Sequence, residues 1–210
     1  MNKDYIIRLE RKDDWRTVEN LTREAFWNVY QPGCTEHYVL HCYRSNPDFI
    51  PELDLVLETE DGIIGQIMFS KASVLSDDGR SIPILTFGPI GIAPAFKRQG
   101  YGLTLLKYSL GKAKSLGYGA VFMEGNIDFY GHAGFVKASC LGIHYHGEPR
   151  ESDVPYFLGL LLKEGYLNGI EGTYHTPKGY YVAEEHPEEF LKYESSFPPK
   201  EKLKLPGQLR

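Results

Sequence analysis

ILTFGPIGIAPAFKRQGYGLTLLKYSLGKAKSLG, residues 84–117, opens as an apolar run rich in β-formers, turns through Ala93, Pro94, Ala95 and Phe96 into Lys97-Arg98-Gln99-Gly100-Tyr101-Gly102, and continues with helical periodicity. Leu103, Leu106, Leu110 and Ala113 recur at spacings of three and four, so one stripe can bury against a sheet, while Lys107, Lys112 and Lys114 fall largely elsewhere. Gly117 supplies the stop. The stretch reads as strand, glycine turn and helix.

Two glycines beside a helix start let several backbone N–H groups converge without interference from Cβ atoms. With the positive end of the helix dipole and the side chains of Lys97 and Arg98, they make a site for an anion, and a pyrophosphate fits best. Other phosphate motifs fit less well. The dinucleotide fingerprint requires a third glycine where Leu105 stands, and the Walker pattern requires Ser or Thr after Gly111-Lys112, where Ala113 stands. A tight βα turn with no ligand is the plain alternative for the glycines alone.

Lys97-x-x-Gly100-x-Gly102, after an apolar strand and at a helix start, resembles the acetyl-CoA pyrophosphate loop of the GNAT acetyltransferase superfamily, written Arg/Gln-x-x-Gly-x-Gly/Ala. Lys97 departs from the first position, with Arg98 and Gln99 adjacent. Further on, Tyr130-Gly131-His132-Ala133-Gly134-Phe135 is similar to the family's Tyr-x-x-x-Gly-Phe, at the usual distance after the loop. Two matches in the right order are far more specific than either alone. The resemblance is strongest over residues 5–135 and extends to about residue 181, where residues 156–169 are similar to the C-terminal part of a bacterial subgroup. It implies a mixed α/β sheet of the GNAT type, antiparallel N-terminal strands followed by a parallel splayed pair with flanking helices.

A chain of 210 residues is long enough for one domain with a real core. The expected division is a single domain over residues 1–186 and a tail over 187–210, rich in Pro, Lys and Glu, as either a surface helix or a mobile arm. A hydrophobic share of 42% and a charged share of 24% describe an ordinary globular protein. No apolar run reaches the roughly 20 residues of a membrane span. Met1-Asn2-Lys3-Asp4-Tyr5 has no apolar signal core, so a cytoplasmic location is the default expectation. A net charge of −5 argues against a nucleic-acid partner, which requires a basic face. Cys34, Cys42 and Cys140 show no Cys-x-x-Cys spacing, which argues against a disulfide framework and a zinc-thiolate site.

Along the chain, residues 5–9 read as a first strand, a helix follows Asp13-Asp14 to about residue 29, and residues 35–44 read as a second helix. His37 and His41 lie at i and i+4 in that helix, without the Glu of a zincin motif or an evident third ligand. They read as helix-surface histidines, and no metal is expected. Residues 53–59 and 63–74 are β-rich runs joined by Asp61-Gly62, a hairpin signal; a second break at residues 76–80 leads into the opening strand. Residues 120–123 form a short return strand that should be parallel to it. A short helix at 127–132 follows, with strands near 156–162 and 170–176.

The resemblance implies transfer of an acetyl group from acetyl-CoA to an amine acceptor by direct attack, with no metal. The Lys97, Arg98, Gln99, Gly100, Tyr101 and Gly102 loop would hold the pyrophosphate, and the backbone of Ile90, Gly91 and Ile92 would pair with the pantetheine amides. Phe87-Gly88-Pro89-Ile90-Gly91 removes a ladder donor, which suits a bulge or splay point; a free N–H of Ile90 or Ile92 there could serve as oxyanion donor, against an edge irregularity without chemistry. Tyr130 takes the role of acid for the leaving thiolate. Asn126 stands nearer to Tyr130 than the family's usual Asn, which puts its coenzyme contact in question. Glu124 is the leading candidate for the base, with His144, His146 and His175 behind it.

Trp15, Trp27, Tyr30, Tyr38, Tyr43, Tyr145, Tyr174, Tyr180 and Tyr181 suggest an aromatic acceptor pocket, although a chain with 15 Tyr supplies some of these by composition. Family members often dimerise through C-terminal strands, so a homodimer is a further expectation. The readings from other classes are a non-catalytic acyl-CoA sensor of the same fold and a nucleotide-binding protein using the same glycine turn.

Overall fold

The structure is a computed structural model and describes residues 4–209. Met1, Asn2 and Lys3, on which part of the leader reading rests, lie outside the described residues. The strands are β1 (Ile6–Leu9), β2 (Leu55–Thr59), β3 (Gly62–Ser76), β4 (Ser81–Ile92), β5 (Ala120–Glu124), β6 (Val136–Lys137), β7 (Ile143–Tyr145), β8 (Phe157–Leu161) and β9 (Gly172–Tyr174). The helices are α1 (Trp15–Phe26), α2 (Glu36–Tyr43), α3 (Tyr101–Ser115), α4 (Ile127–Tyr130), α5 (Val182–Glu185) and α6 (Pro187–Glu194). No described helix is long and apolar enough to cross a membrane. The described chain forms two compact units, and β3, β4 and α3 contribute residues to both.

The first unit takes in the described residues up to Met68, Gly88–Leu105 and those from Lys178. Its sheet begins with β1, β2 and β3 in antiparallel order, Leu9 opposite Leu55 and Leu55 opposite Ile67. The β2–β3 hairpin turns through Glu60 and Asp61, and Gly62, paired with Thr59, takes the positive φ of 93° that follows the turn. At the start of α1, Asp14 accepts from Arg11 N at 2.8 Å and from Arg8 Nη1 at 2.6 Å; the Arg8 guanidinium holds its carboxyl below the usual range. The helical period then buries Val18, Leu21, Thr22 and Ala25. Val18, Leu40, Tyr43, Val56 and Met68 form the core.

Beyond α6, residues 195–209 lie along α1 and the loop after it: Arg16 Nη2 donates to Ser196 O at 2.6 Å, Trp27 Nε1 to Glu201 O at 2.8 Å, and Leu209 N to Tyr30 O at 2.8 Å. Phe197 is buried among them. The residues after Pro187 thus comprise α6 and a segment hydrogen-bonded to α1 and the loop after it.

The second unit takes in Phe69–Phe87 and Leu106–Pro177. Its strand order is β3-β4-β5-β8-β6, with β9 on β3 and β7 on β9. β4 and β5 are parallel, paired at Leu85 and Val121. β8 returns antiparallel to β5, Ala120 opposite Leu161. β9 pairs antiparallel with the end of β3, Val74 opposite Tyr174. Ile84, Ala120, Phe122, Ile143, Phe157 and Tyr174 form its core. In α3 the buried stripe is Leu105, Leu106, Ser109, Leu110 and Ala113, and Leu103 is only partly buried. The period is as expected, but the stripe is centred about one position on from Leu103.

Candidate functional site

In the first unit, the end of β4 is set by its bond to β3. Ala93 N donates to Ile64 O at 2.8 Å. In an antiparallel ladder, neighbouring residues point their backbone groups to opposite edges. The two-residue period therefore turns the N–H groups of Ile90 and Ile92 away from β3, while Pro89 has no N–H to give. The Gly88–Pro89 peptide is cis. The side chain of Gln66, 1% exposed, donates from Nε2 to Pro89 O at 3.2 Å, and its Oε1 has no hydrogen-bond partner among the described residues. An orphaned buried acceptor of this kind costs about 1–3 kcal/mol.

After a single 3-10 turn at Pro94–Phe96, Arg98 and Gly100 take left-handed backbone angles, φ 59° and 89°. Among the described residues, chain neighbours apart, no heavy atom lies within 4 Å of a Cβ built on Gly100, so they leave the space over this peptide open. Thr104 N donates to Gly100 O at 3.0 Å, so N–H groups earlier in α3 face out of the helix start, where the dipole favours an anion.

Three loop residues also hold the loop itself. Lys97 Nζ donates to Ala25 O at the end of α1 at 2.8 Å, and burial lowers its pKa. Gln99 Nε2 donates to Ala95 O at 3.1 Å. Tyr101 is buried with edge contacts to Tyr5 and Phe96. Arg98 is exposed.

In the second unit, Asn126 caps α4, its Oδ1 accepting from Asp128 N at 2.8 Å. Tyr130, half-buried, stands on the last residue of that helix with ring centroids 5.8 Å from Phe87 and 5.8 Å from Phe135. A Cβ on Gly125 would come within 2.3 Å of the Tyr130 ring, so glycine is required there. Gly134 closes the following turn at φ 95°, and Phe135 N donates back to Tyr130 O at 3.3 Å. The Tyr-x-x-x-Gly-Phe spacing is thus a folded unit: the left-handed glycine returns the Phe ring onto the Tyr ring.

Glu124, at the exposed end of β5, accepts through Oε1 from Tyr145 OH at 2.7 Å and Thr176 Oγ1 at 2.8 Å. His146 and His175 stack at 3.8 Å, and burial lowers the His175 pKa with His146 adding to it. The structure thus groups Glu124 with Tyr145 and Thr176, and Tyr130 with Phe87 and Phe135, and it keeps residues 90–102 in the other unit.

One expectation is corrected. His37 is fully buried, not on the helix surface: its Nε2 lies 2.7 Å from Glu194 Oε2 and its Nδ1 3.5 Å from Cys34 Sγ. Its partner is 157 residues away in sequence, which local spacing could not show. Among the described residues no group of three or more His, Cys, Asp or Glu is placed to hold a metal. Of the aromatic residues, Tyr38 and Tyr43 are core in the first unit, where Trp15 lies under Arg44 and Trp27 under Arg23 beside the tail, and Tyr174 is core in the second.

Sequence reasoning missed Gln66 and the buried polar groups of the first unit. Arg44, 2% exposed, donates to Glu10 at 2.7 Å and Glu19 at 2.6 Å. Burial and a hydrogen bond with Glu10 raise the pKa of Asp54 well above the usual carboxylate range. A Gln in an otherwise apolar strand run was the one local signal available.

Residues 15–135 match the acetyltransferase (GNAT) family. None of the curated proteins matches the chain. Among solved structures the chain is similar to the GNAT family N-acetyltransferase YhbS from Escherichia coli in complex with CoA, at 22% identity and a TM-score of 0.73 over 86% of this chain and 93% of that one. It is similar to a GNAT family acetyltransferase from Brucella melitensis in complex with acetyl-CoA, at 21% identity and 0.63 over 85% and 99%. The ribosomal-protein-S18-alanine N-acetyltransferase from Escherichia coli follows at 14% identity and 0.54 over 77% and 96%. These likenesses show the fold.

Proposed function

This chain belongs to the GNAT acetyltransferase family, and from that premise we propose that it transfers an acetyl group from acetyl-CoA to a primary amine of a small molecule or peptide by direct attack. The observation that carries the reading is the end of β4. There the N–H groups of Ile90 and Ile92 are turned off the ladder, and the strand runs on into a glycine turn whose open face lies at a helix start. A pantetheine arm needs strand-like donors and acceptors, and a pyrophosphate needs convergent N–H groups with no Cβ in the way. The residues present fit both. Two proteins of the same fold are seen with CoA or acetyl-CoA, which supports the ligand class.

Acetyl-CoA supplies the activated acetyl group when bound. On the protein side, the backbone around Gly91 holds the pantetheine, and the loop from Lys97 to Gly102 holds the pyrophosphate, with Arg98 as its exposed cation and Lys97 and Gln99 fixing the loop's shape. The N–H of Ile90 or Ile92 donates to the carbonyl oxygen as negative charge develops there. Tyr130 protonates the departing sulfur; a phenol of pKa about 10 and a thiol of about 8.5 exchange a proton without a large mismatch. Glu124, oriented by the hydroxyls of Tyr145 and Thr176, takes the proton of the amine directly or through water. Asn126 spends its Oδ1 on the cap of α4, which leaves Nδ2 for the coenzyme and makes the cap itself its surer contribution, since it places Tyr130.

Calorimetry tests this reading. Acetyl-CoA should bind, and NAD and ATP should not. Binding of NAD or ATP in its place would return the glycine turn to a nucleotide. Acetyl-CoA binding without amine-dependent thiol release across an amine panel would leave a sensor rather than an enzyme.

A further inference from the structure

We infer that Gln66 is a positioning residue for the Ile90 N–H, an inference that rests on the acetyltransferase reading above. Pro89 has no N–H and so interrupts the β3–β4 ladder at the point where the strand turns its donors outward. On the β3 side, this peptide can therefore be held only through its carbonyl. The Pro89 carbonyl and the Ile90 N–H belong to one planar trans peptide, so they point in opposite directions. Gln66 Nε2 donates to that carbonyl at 3.2 Å, and fixing the carbonyl toward β3 fixes the Ile90 N–H away from it.

The surroundings are arranged for this bond. A Cβ on Gly91 would stand 3.6 Å from Gln66 Nε2 and 3.4 Å from Ala25 Cβ, in ordinary contact, so the amide lies directly against the backbone of residue 91. The flip state of Gln66 is set by the same bond, because the opposite orientation would place two oxygens together. In that state Oε1 has no partner among the described residues, in a side chain only 1% exposed. A purely packing role would be served better by Leu or Met, which carry no acceptor to desolvate. The amide is therefore kept for the bond its nitrogen makes.

Two variants test this. Gln66→Met keeps volume and removes the donor. In the protein without coenzyme, labelled with isotopic isoleucine, the Ile90 amide resonance should shift in this variant while that of Ile143 stays. The kcat should fall about 10- to 100-fold, below the loss for removing an oxyanion donor outright, with the calorimetric affinity for acetyl-CoA within about twofold of the parent. Gln66→Glu supplies a donor only when its carboxyl is protonated, and burial keeps it protonated to higher pH than usual. The ratio of variant to parent kcat should therefore rise as pH falls.

An unmoved Ile90 resonance or an unchanged kcat in folded Gln66→Met overturns the inference. If Gln66→Met does not fold, a ratio for Gln66→Glu that is flat with pH overturns it. The resonance measurement does not depend on turnover, so its failure is distinct from absence of acetyltransferase activity in the parent protein.

Discussion

On the ring of Tyr130, Phe87, Phe135 and the bare backbone of Gly125 all act to fix one orientation. Ring packing alone would be met equally by Phe, so the hydroxyl is the group that carries the proposed chemistry. Tyr130→Phe should keep all three ring contacts. It should lower kcat by roughly a hundredfold and leave acetyl-CoA affinity nearly intact, the pattern of a group that acts after binding. Steady-state kinetics with calorimetry checks this, and an unchanged kcat would remove Tyr130 from the mechanism. The motif around Tyr130 was legible because its parts are local: a left-handed glycine and a returning Phe lie within five residues of the Tyr. Gln66 was not, because its meaning lies in a carbonyl 23 residues away.

β4, the turn and α3 show how one element serves both stability and binding. Leu85 pairs with Val121 and anchors the strand, while Ile90 and Ile92 turn their N–H groups outward. The turn depends on Gly100 at φ 89°. Gly100→Ala meets no neighbour among the described residues, so the fold should survive; an L residue in that backbone state costs about 1–2 kcal/mol. The added methyl would enter the open space over the turn. Acetyl-CoA affinity should fall about tenfold or more by calorimetry, with a thermal midpoint lowered by only a few degrees. Unchanged affinity would move the anion site away from this turn.

These elements were legible because strand, breaker and helical period are consecutive. The insertion of β8 beside β5 and the return of β9 to the end of β3 were not, since each depends on a partner distant in sequence: Ala120 opposite Leu161, and Val74 opposite Tyr174. The stripe of α3 shifted because Leu103 lies near the exposed helix start, where Gly102 and Thr104 are also only partly buried.

At the scale of the whole molecule, stability has a pH dependence that composition does not reveal. Glu194 brings the tail helix onto Arg23 at 2.5 Å and onto His37 at 2.7 Å, inside the first unit. Burial lowers the pKa of His37 from 6.5 to about 4, against the opposing pull of Glu194. The imidazole is therefore neutral at neutral pH and donates from Nε2 to Glu194, while the Cys34 thiol, which burial keeps protonated, lies against Nδ1 and donates to Arg23 O. The unfolded chain binds the His37 proton near pH 6.5 and the folded chain only near pH 4, so acid favours unfolding across that window. This contribution is full above the upper value and is lost as pH falls toward the lower one, up to about 3 kcal/mol. Thermal midpoints measured from pH 7 to pH 4 should decline, and His37→Gln should flatten that part of the slope. An equal slope in the variant would place the acid sensitivity elsewhere.

The central claim is direct transfer of acetyl from acetyl-CoA to an amine. It is tested most directly by incubating the protein with acetyl-CoA, first alone and then with an amine panel, and measuring protein mass, free thiol and acetylated amine together. Direct attack predicts no acetylated protein and little thiol without amine, then thiol and acetylated amine in equal amounts when an accepted amine is added. An acetylated side chain that accumulates, or thiol release that does not depend on any amine, would contradict it.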